Sequence, residues 1–309
     1  MAGQTGFDSV FVRVTDGLKL HARDYGDRAG ERLPVVCLAG LTRNSIDFHD
    51  LALALSTHKH RPRRVVALDY RGRGLSDYDA NWKNYDPRVE AADTIAMLTA
   101  LGVHEAVFIG TSRGGLVTMA IAAMQPARIR GVVLNDIGPV IDARGLIRIR
   151  SQVGKLPAPR NWAEAVDMLK HMSGSHFPAL SGDDWDAMAR GTWQEDKGRL
   201  VPCRDQNLMK GLEGLDLEAP LPALWSVFEG LTRLPVLAIR GENSDLLSEE
   251  TLTEMEVRHP GLERFIVPGQ GHAPLLRDSA SITRIASFIG RIEDTKPLAV
   301  QAAMADAPG

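Results

Sequence analysis

Short apolar runs of four or five residues recur along the chain, and they constrain the fold more than any other feature. They are rich in Val, Ile and Leu, as is typical of parallel strands buried on both faces. These runs are Val35–Leu38, Val65–Leu68 and residues 106–109, 131–134, 236–239 and 264–267. Helix-like stretches separate most of them, for example residues 86–101, and residues 116–125 before Pro126. The alternation predicts an α/β fold with a mostly parallel central sheet and flanking helices.

Two segments depart from this alternation. Asp16-Gly17 stands between two strand-like stretches within residues 11–25 and predicts a β-hairpin. Residues 139–231 contain amphipathic stretches but no evident buried strand, which predicts a helical cap inserted into the sheet. We expect the core to comprise residues 1–138 and 232–295, the cap residues 139–231, and a disordered tail residues 296–309.

Composition narrows the class of function. The chain has 309 residues, with 36 Lys and Arg against 39 Asp and Glu, and a net charge of −3 gives no electrostatic footprint for nucleic acid. No apolar run reaches the length of a membrane helix, and the first residues do not resemble a secretory signal. Two lone cysteines, Cys37 and Cys203, favour a reducing compartment, although the sequence leaves a disulfide between them open. We expect a cytoplasmic protein without nucleic-acid or membrane partners.

A Gly-Thr-Ser-Arg-Gly sequence at residues 110–114 is the most informative motif. An apolar strand precedes it and an apolar helix follows it, which is the context that a G-x-S-x-G nucleophile elbow requires. The sharp turn would present the Ser112 hydroxyl at the carboxyl edge of the sheet, with glycines on both sides because a Cβ there would collide with the neighbouring strand and helix. Ser112 is therefore the candidate nucleophile.

A serine nucleophile needs a base, and nine histidines are available. His272 differs from the others because it follows the last buried run within a Gly-rich loop, Pro268-Gly-Gln-Gly-His272. That position brings it to the same edge of the sheet as Ser112. His272 is the candidate base.

A carboxylate should orient the imidazole and stabilise its charged form. Asp245 follows the penultimate buried run and completes the chain order Ser, Asp, His, so it is the preferred candidate. Asp136, directly after the run at 131–134, is the alternative, and Glu242 is a weaker third.

Together these motifs resemble the α/β-hydrolase superfamily, specifically a capped serine carboxylesterase or lactonase-like branch. The resemblance covers residues 11–291. It also draws on Leu38-Ala-Gly-Leu-Thr42, Asp69-Tyr-Arg-Gly-Arg-Gly-Leu-Ser76 and Asn135-Asp-Ile-Gly-Pro139. The family implies an oxyanion hole formed by the backbone N–H groups of Leu41 and Arg113, and it implies no cofactor or metal. Ala39 stands where the family commonly has His, so a hydrogen bond that often braces this loop is missing.

The arginines of these motifs have two interpretations. Arg71, Arg73 and Arg113 could recognise an acidic acyl group near the pocket, or they could pair with Asp69, Asp77 or Asp136 as part of the scaffold; we favour the scaffold. The predicted cap is rich in aromatic and Met side chains, and we expect most of them to pack within it and one or two to line the pocket. They are Trp162, Trp185, Trp193, Trp225, Met168, Met172, Met188 and Phe228.

The leading functional prediction is a serine hydrolase that cleaves a small carboxylic ester or lactone through an acyl-enzyme. A carbon–carbon bond hydrolase of aromatic meta-cleavage products is an alternative, although those relatives usually have Asn where Thr111 stands. A non-catalytic ligand-binding protein on the same scaffold is the third possibility.

Overall fold

The structure is a computed structural model that describes residues 6–152, 157–219 and 221–295. The predicted disordered tail, residues 296–309, lies outside the described residues.

The elements follow one another in the predicted order. The first part of the chain forms β1 (Phe7–Arg13), β2 (Lys19–Tyr25), β3 (Val35–Leu38), α1 (His49–Ser56), β4 (Val65–Leu68), α2 (Pro87–Ala100), β5 (Ala106–Thr111), α3 (Arg113–Met124) and β6 (Ile129–Asn135). Then come α4 (Ala143–Gln152), α5 (Trp162–Ser173), α6 (Gly182–Thr192), β7 (Trp193–Asp196), β8 (Arg199–Pro202), α7 (Lys210–Glu213) and α8 (Trp225–Glu229). The last elements are β9 (Val236–Gly241), α9 (Glu249–Arg258), β10 (Glu263–Val267) and α10 (Ser279–Asp294). In the described part of the chain, none of these helices combines the length and the apolar character needed to cross a membrane.

Eight strands form one sheet in the order β1-β2-β4-β3-β5-β6-β9-β10. β1 and β2 are the predicted hairpin, and β2 is also antiparallel to β4. The other neighbours pair in parallel, so the carboxyl ends of β5, β6, β9 and β10 lie side by side at one edge. The predicted α/β-hydrolase fold with a mostly parallel sheet is confirmed.

Burial on both faces explains the continuous apolar runs. In β3, Val36 and Leu38 join one hydrophobic cluster while Val35 and Cys37 join another on the opposite face. Helices α2, α3 and α9 contribute to the first cluster, and α1 and α10 to the second. The sheet is therefore the middle layer of three, and its carboxyl edge is the place where loops meet.

The inserted segment, residues 139–231, separates β6 from β9 in the chain. Its described residues form helices α4 to α8 and also a hairpin that the sequence did not reveal. β7 and β8 pair antiparallel around Lys197-Gly198, where both residues have positive φ (49° and 74°). Both strands are short and partly exposed, so they lack the apolar run used to recognise strands. Trp185, Trp193 and Leu200 are among the residues of a small separate hydrophobic cluster, which joins the hairpin to α5 and α6.

Candidate active site

Ser112 lies in the turn between β5 and α3, with φ of 50° and ψ of −113°. This left-handed backbone is uncommon for a residue with a side chain and matches the strained turn of a nucleophile elbow. A Cβ at Gly110 would lie 2.5 Å from the backbone of Gly114, and one at Gly114 would lie 2.0 Å from the Leu38 carbonyl oxygen. Only glycine fits these two positions, because backbone rather than a movable side chain fills the space.

His272 lies in the loop after β10, and its Nε2 is 2.9 Å from Ser112 Oγ. The Asn135 side-chain amide donates to Thr111 Oγ1 (3.0 Å) and to the Pro274 carbonyl (2.9 Å). One amide at the end of β6 thus ties the end of β5 to the histidine loop. The two predicted residues are brought together at hydrogen-bond distance.

Asp136 supplies the carboxylate that contacts this histidine. It directly follows β6, is fully buried, and its Oδ2 lies 2.7 Å from His272 Nδ1. Ser244 Oγ donates to the same oxygen at 2.6 Å, and the Gly241 N–H donates to Oδ1 at 2.8 Å. These donors satisfy a buried carboxylate and orient it.

The preferred sequence candidate, Asp245, does not contact His272, and this expectation is corrected. Asp245 instead binds Arg148 of α4 through two hydrogen bonds of 2.6 and 2.8 Å. Burial opposes ionisation, but the bonds and charge of Arg148 outweigh it and hold the pKa of Asp245 below its ordinary value. Glu242 accepts from the Gly269 N–H at 2.7 Å and is also not the partner of His272.

Strand order explains the error. β6 lies directly between β5 and β9, so Asp136 after β6 stands one strand closer to the elbow than Asp245 after β9. Asp136 also has a positive φ of 56°. The sequence did offer Asp136 as the alternative to Asp245. The order of strands in the sheet decides between these two residues, and the apolar runs of the sequence do not reveal that order.

The loop after β3 and the start of α3 both lie next to the nucleophile, and they carry Leu41 and Arg113, the two predicted oxyanion donors. A Cβ at Gly40 would lie 3.8 Å from Ser112 Cβ, so the loop after β3 approaches the nucleophile closely. Arg113 is the first residue of α3, where a backbone N–H has no acceptor within the helix. Arg73 Nε donates to the Leu41 carbonyl at 2.9 Å, which braces the loop that lacks the common histidine. The role of Leu41 and Arg113 stays a prediction.

The arginine motifs belong to the scaffold rather than to a substrate site. Arg73 and Arg113 both pair with the fully buried Glu90, each at 2.7 Å. Arg71 pairs with Asp93 at 2.7 Å and also with two further carboxylates. The three arginines therefore pair with carboxylates of the scaffold, as we favoured, but these carboxylates are not the predicted ones.

A cavity of about 270 Å³ opens onto Ser112 and His272. Of the predicted lid residues, Met172, Met188 and Trp193 line it, whereas Phe228 packs in the main core. Besides His272, the described lining residues with ionisable side chains are Arg43, Asp47, Arg148 and Arg204. Among the described residues, no group of three or more His, Cys, Asp or Glu is arranged to hold a metal ion.

A second Ser-His-Asp chain exists elsewhere in the molecule. Ser9 Oγ lies 2.7 Å from His21 Nε2, and His21 Nδ1 lies 2.7 Å from Asp69 Oδ2. Ser9 is an exposed residue of the regular strand β1 and does not line the cavity, and Asp69 also accepts the Ser45 N–H. The distances alone therefore do not make an active site; the strained turn and the cavity distinguish Ser112.

The parallel sheet carries a serine, a histidine and an aspartate in one hydrogen-bond chain at its carboxyl edge, which is the arrangement typical of α/β-hydrolases. The model of the alpha/beta hydrolase family matches residues 35–283. The chain belongs to this family and is a hydrolase.

Three relatives illustrate the similarity. The chain is 32% identical over 294 residues to a 3-hydroxybutyrate-oligomer hydrolase of Cupriavidus necator, covering 90% of this chain and 96% of the relative. It is 28% identical over 234 residues to a 2-(acetamidomethylene)succinate hydrolase of Mesorhizobium japonicum, covering 75% of this chain and 79% of the relative. A crystal structure of an alpha/beta hydrolase from Novosphingobium aromaticivorans superposes with a TM-score of 0.83 at 38% identity, covering 94% of this chain and 100% of that chain.

Proposed function

We propose that the protein is a serine hydrolase of small carboxylic esters, with Ser112 as nucleophile, His272 as base and Asp136 as the orienting acid. The observation that carries the proposal is the chain of two hydrogen bonds from Asp136 through His272 to Ser112. The 32% identity to a hydrolase of 3-hydroxybutyrate oligomers supports an ester as the bond cleaved.

The geometry suggests the following course. His272 Nε2 takes the proton of Ser112 Oγ as that oxygen attacks the ester carbonyl carbon. The oxyanion forms near the N–H groups of Leu41 and Arg113, and a lost donor of this kind typically costs about 3 kcal/mol of transition-state stabilisation. His272 then passes the proton to the leaving alkoxide. His272 then deprotonates a water as the water attacks the acyl carbonyl carbon. The bond from that carbon to Ser112 Oγ breaks, the acid leaves, and His272 returns the proton to Ser112 Oγ. Asp136 holds the imidazole orientation throughout.

Cavity size and surroundings restrict the substrate. A volume of about 270 Å³ lies at the small end of ligand pockets. Side chains of the inserted segment line part of it, which supports a cap over a small ester or lactone. Both cysteines are buried and unpaired, which supports a cytoplasmic location.

The first experiment compares the wild type with Ser112→Ala on p-nitrophenyl esters of increasing acyl length and on a simple lactone. We expect a measurable wild-type rate that falls on the order of 10⁴-fold or more in the variant, because the nucleophile is lost. A short-chain optimum is expected from the small cavity. Ser9→Ala is the matched control, since it removes the serine of the other Ser-His-Asp chain and should leave the rate unchanged.

Two results would contradict parts of this proposal. An inert wild type whose Ser112 is still labelled by a serine-directed phosphonate would reject the ester and move carbon–carbon hydrolysis forward. Neither turnover nor labelling would reject catalysis altogether.

A further inference from the structure

Arg204 lines the cavity and has no counterion within the described part of the chain. It follows β8 in the inserted segment and lines the same cavity as Ser112 and His272. Its Nη1 is buried without a hydrogen-bond partner, and no ion pair to its guanidinium occurs among residues 6–152, 157–219 and 221–295.

The other cavity arginines are neutralised. Asp47 binds Arg43 through hydrogen bonds of 2.7 and 2.5 Å, and Thr192 Oγ1 accepts a further one from Arg43 at 2.5 Å. Asp245 binds Arg148 through two hydrogen bonds. Among the cavity residues that the structure describes, the positive charge left unbalanced is therefore that of Arg204.

The nearest carboxylate in sequence is already in use. Asp205 accepts from Tyr85 Oη at 2.5 Å and from the Asn207 N–H at 2.9 Å. Burial, with Arg43 acting in the same direction, lowers the pKa of Arg204, yet an arginine in a protein stays protonated. A largely desolvated guanidinium without partners is costly, and a carboxylate is the group whose geometry matches its planar fork.

We propose that Arg204 binds a free carboxylate of the substrate, so that the enzyme prefers esters that carry an acid group, such as monoesters of dicarboxylic acids. The inference rests on the proposed function, because the carboxylate must lie in the same cavity as the Ser112 hydroxyl. It assigns acid recognition to a residue of the inserted segment instead of Arg71, Arg73 or Arg113, which the scaffold carboxylates occupy.

The test uses two substrates with the same glutaryl chain. One is mono-p-nitrophenyl glutarate, which has a free carboxylate, and the other is methyl p-nitrophenyl glutarate, in which a methyl ester masks that carboxylate. The wild type should have the higher kcat/KM on the acid. The acid-to-methyl-ester ratio of kcat/KM should fall at least about tenfold in Arg204→Gln, as expected for losing a hydrogen bond between charged groups. Arg204→Lys, which keeps the charge but not the fork, should retain part of the ratio.

Arg199→Gln is the matched control. Arg199 is the first residue of β8, five residues before Arg204, and it is exposed and outside the cavity. Its substitution removes the same charge from the same segment, so the ratio should stay as in the wild type. Partial unfolding lowers kcat/KM on both substrates by the same factor. The ratio of the two values therefore does not change, and a partly unfolded variant does not mimic the expected result. A wild type that prefers the methyl ester, or an unchanged ratio in Arg204→Gln, would overturn the proposal.

A binding measurement separates this proposal from the hydrolase mechanism. Glutarate and dimethyl glutarate are titrated calorimetrically into Ser112→Ala and into Ser112→Ala with Arg204→Gln. Suppose that neither ester is cleaved, that Ser112→Ala binds glutarate more tightly than dimethyl glutarate, and that the double variant loses this preference. Acid recognition by Arg204 would then stand, and ester hydrolysis would be rejected. If esters are cleaved but glutarate shows no Arg204-dependent binding, acid recognition fails alone.

Discussion

Asp136 has its carboxylate surrounded by donors that leave little freedom of orientation. The Gly241 N–H, Ser244 Oγ and His272 Nδ1 all bind it, and the residue is fully buried. A carboxylate with this environment keeps the imidazole in the tautomer whose Nε2 can accept the Ser112 proton.

Asp136→Asn should therefore lower kcat on the order of 10³- to 10⁴-fold, because an amide at this position favours the wrong tautomer of His272. Steady-state kinetics on the best p-nitrophenyl ester measure the effect. Asp245→Asn is the comparison and should lose far less, since Asp245 contacts Arg148 rather than the imidazole. If Asp245→Asn proved the more damaging change, the acid assigned from the geometry would be wrong.

Helix α4 is held against the loop after β9. Arg148 of α4 and Asp245 of the loop are both largely shielded, and a Cβ at Gly145 of the same helix would lie 2.9 Å from the Asp245 carbonyl oxygen. The close approach and the ion pair attach the inserted segment to the sheet at the rim of the cavity.

Acidification should release this attachment. The pKa of Asp245 is lower in the folded state than in the unfolded chain, so the pair contributes stability above the ordinary pKa of Asp, about 3.9, and loses it as pH falls through the folded value. Hydrogen exchange of residues 143–152 should accelerate in Arg148→Gln at neutral pH. In the wild type, the exchange rate of these residues should approach that of the variant only below about pH 4. Equal protection of the two proteins at neutral pH would show that the ion pair does not hold the helix.

At the scale of the whole molecule, Glu90 of α2 connects the parts of the site. It pairs with Arg113 at the start of α3 and with Arg73, which in turn holds the Leu41 carbonyl. Both predicted oxyanion donors are thus supported from one buried carboxylate.

Glu90→Gln should lower the free energy of unfolding by about 3–5 kcal/mol, because two shielded guanidinium groups lose their counterion. Urea denaturation measures this loss. Glu105→Gln removes one partner of the more exposed Glu105–Arg130 pair and should change the free energy by no more than about 1 kcal/mol. The folded fraction of Glu90→Gln should also show a lower kcat with little change in KM, which a purely structural role would not produce.

Sequence reasoning succeeded where the signal is local. The buried runs predicted the sheet, and Gly110-Thr-Ser112 predicted a turn that the backbone conformation of Ser112 matches. It did not succeed where the answer depends on contacts between residues far apart in the sequence. The choice of Asp136 depends on strand order, and the support of Leu41 by Arg73 depends on a contact across 32 residues. Arg204 belongs to none of the sequence motifs; it stands out only as a charge without a partner among the residues that the structure describes.

The adjacency of β6 and β9 gives His272 two acidic neighbours. The ends of these strands bring Asp136 and Asp245 into the same region, and the charge of His272 acts on Asp245 even though Asp136 makes the hydrogen bond. A protein that lost the Asp136 carboxylate would therefore keep a second carboxylate within electrostatic reach of the imidazole, although Arg148 neutralises that carboxylate.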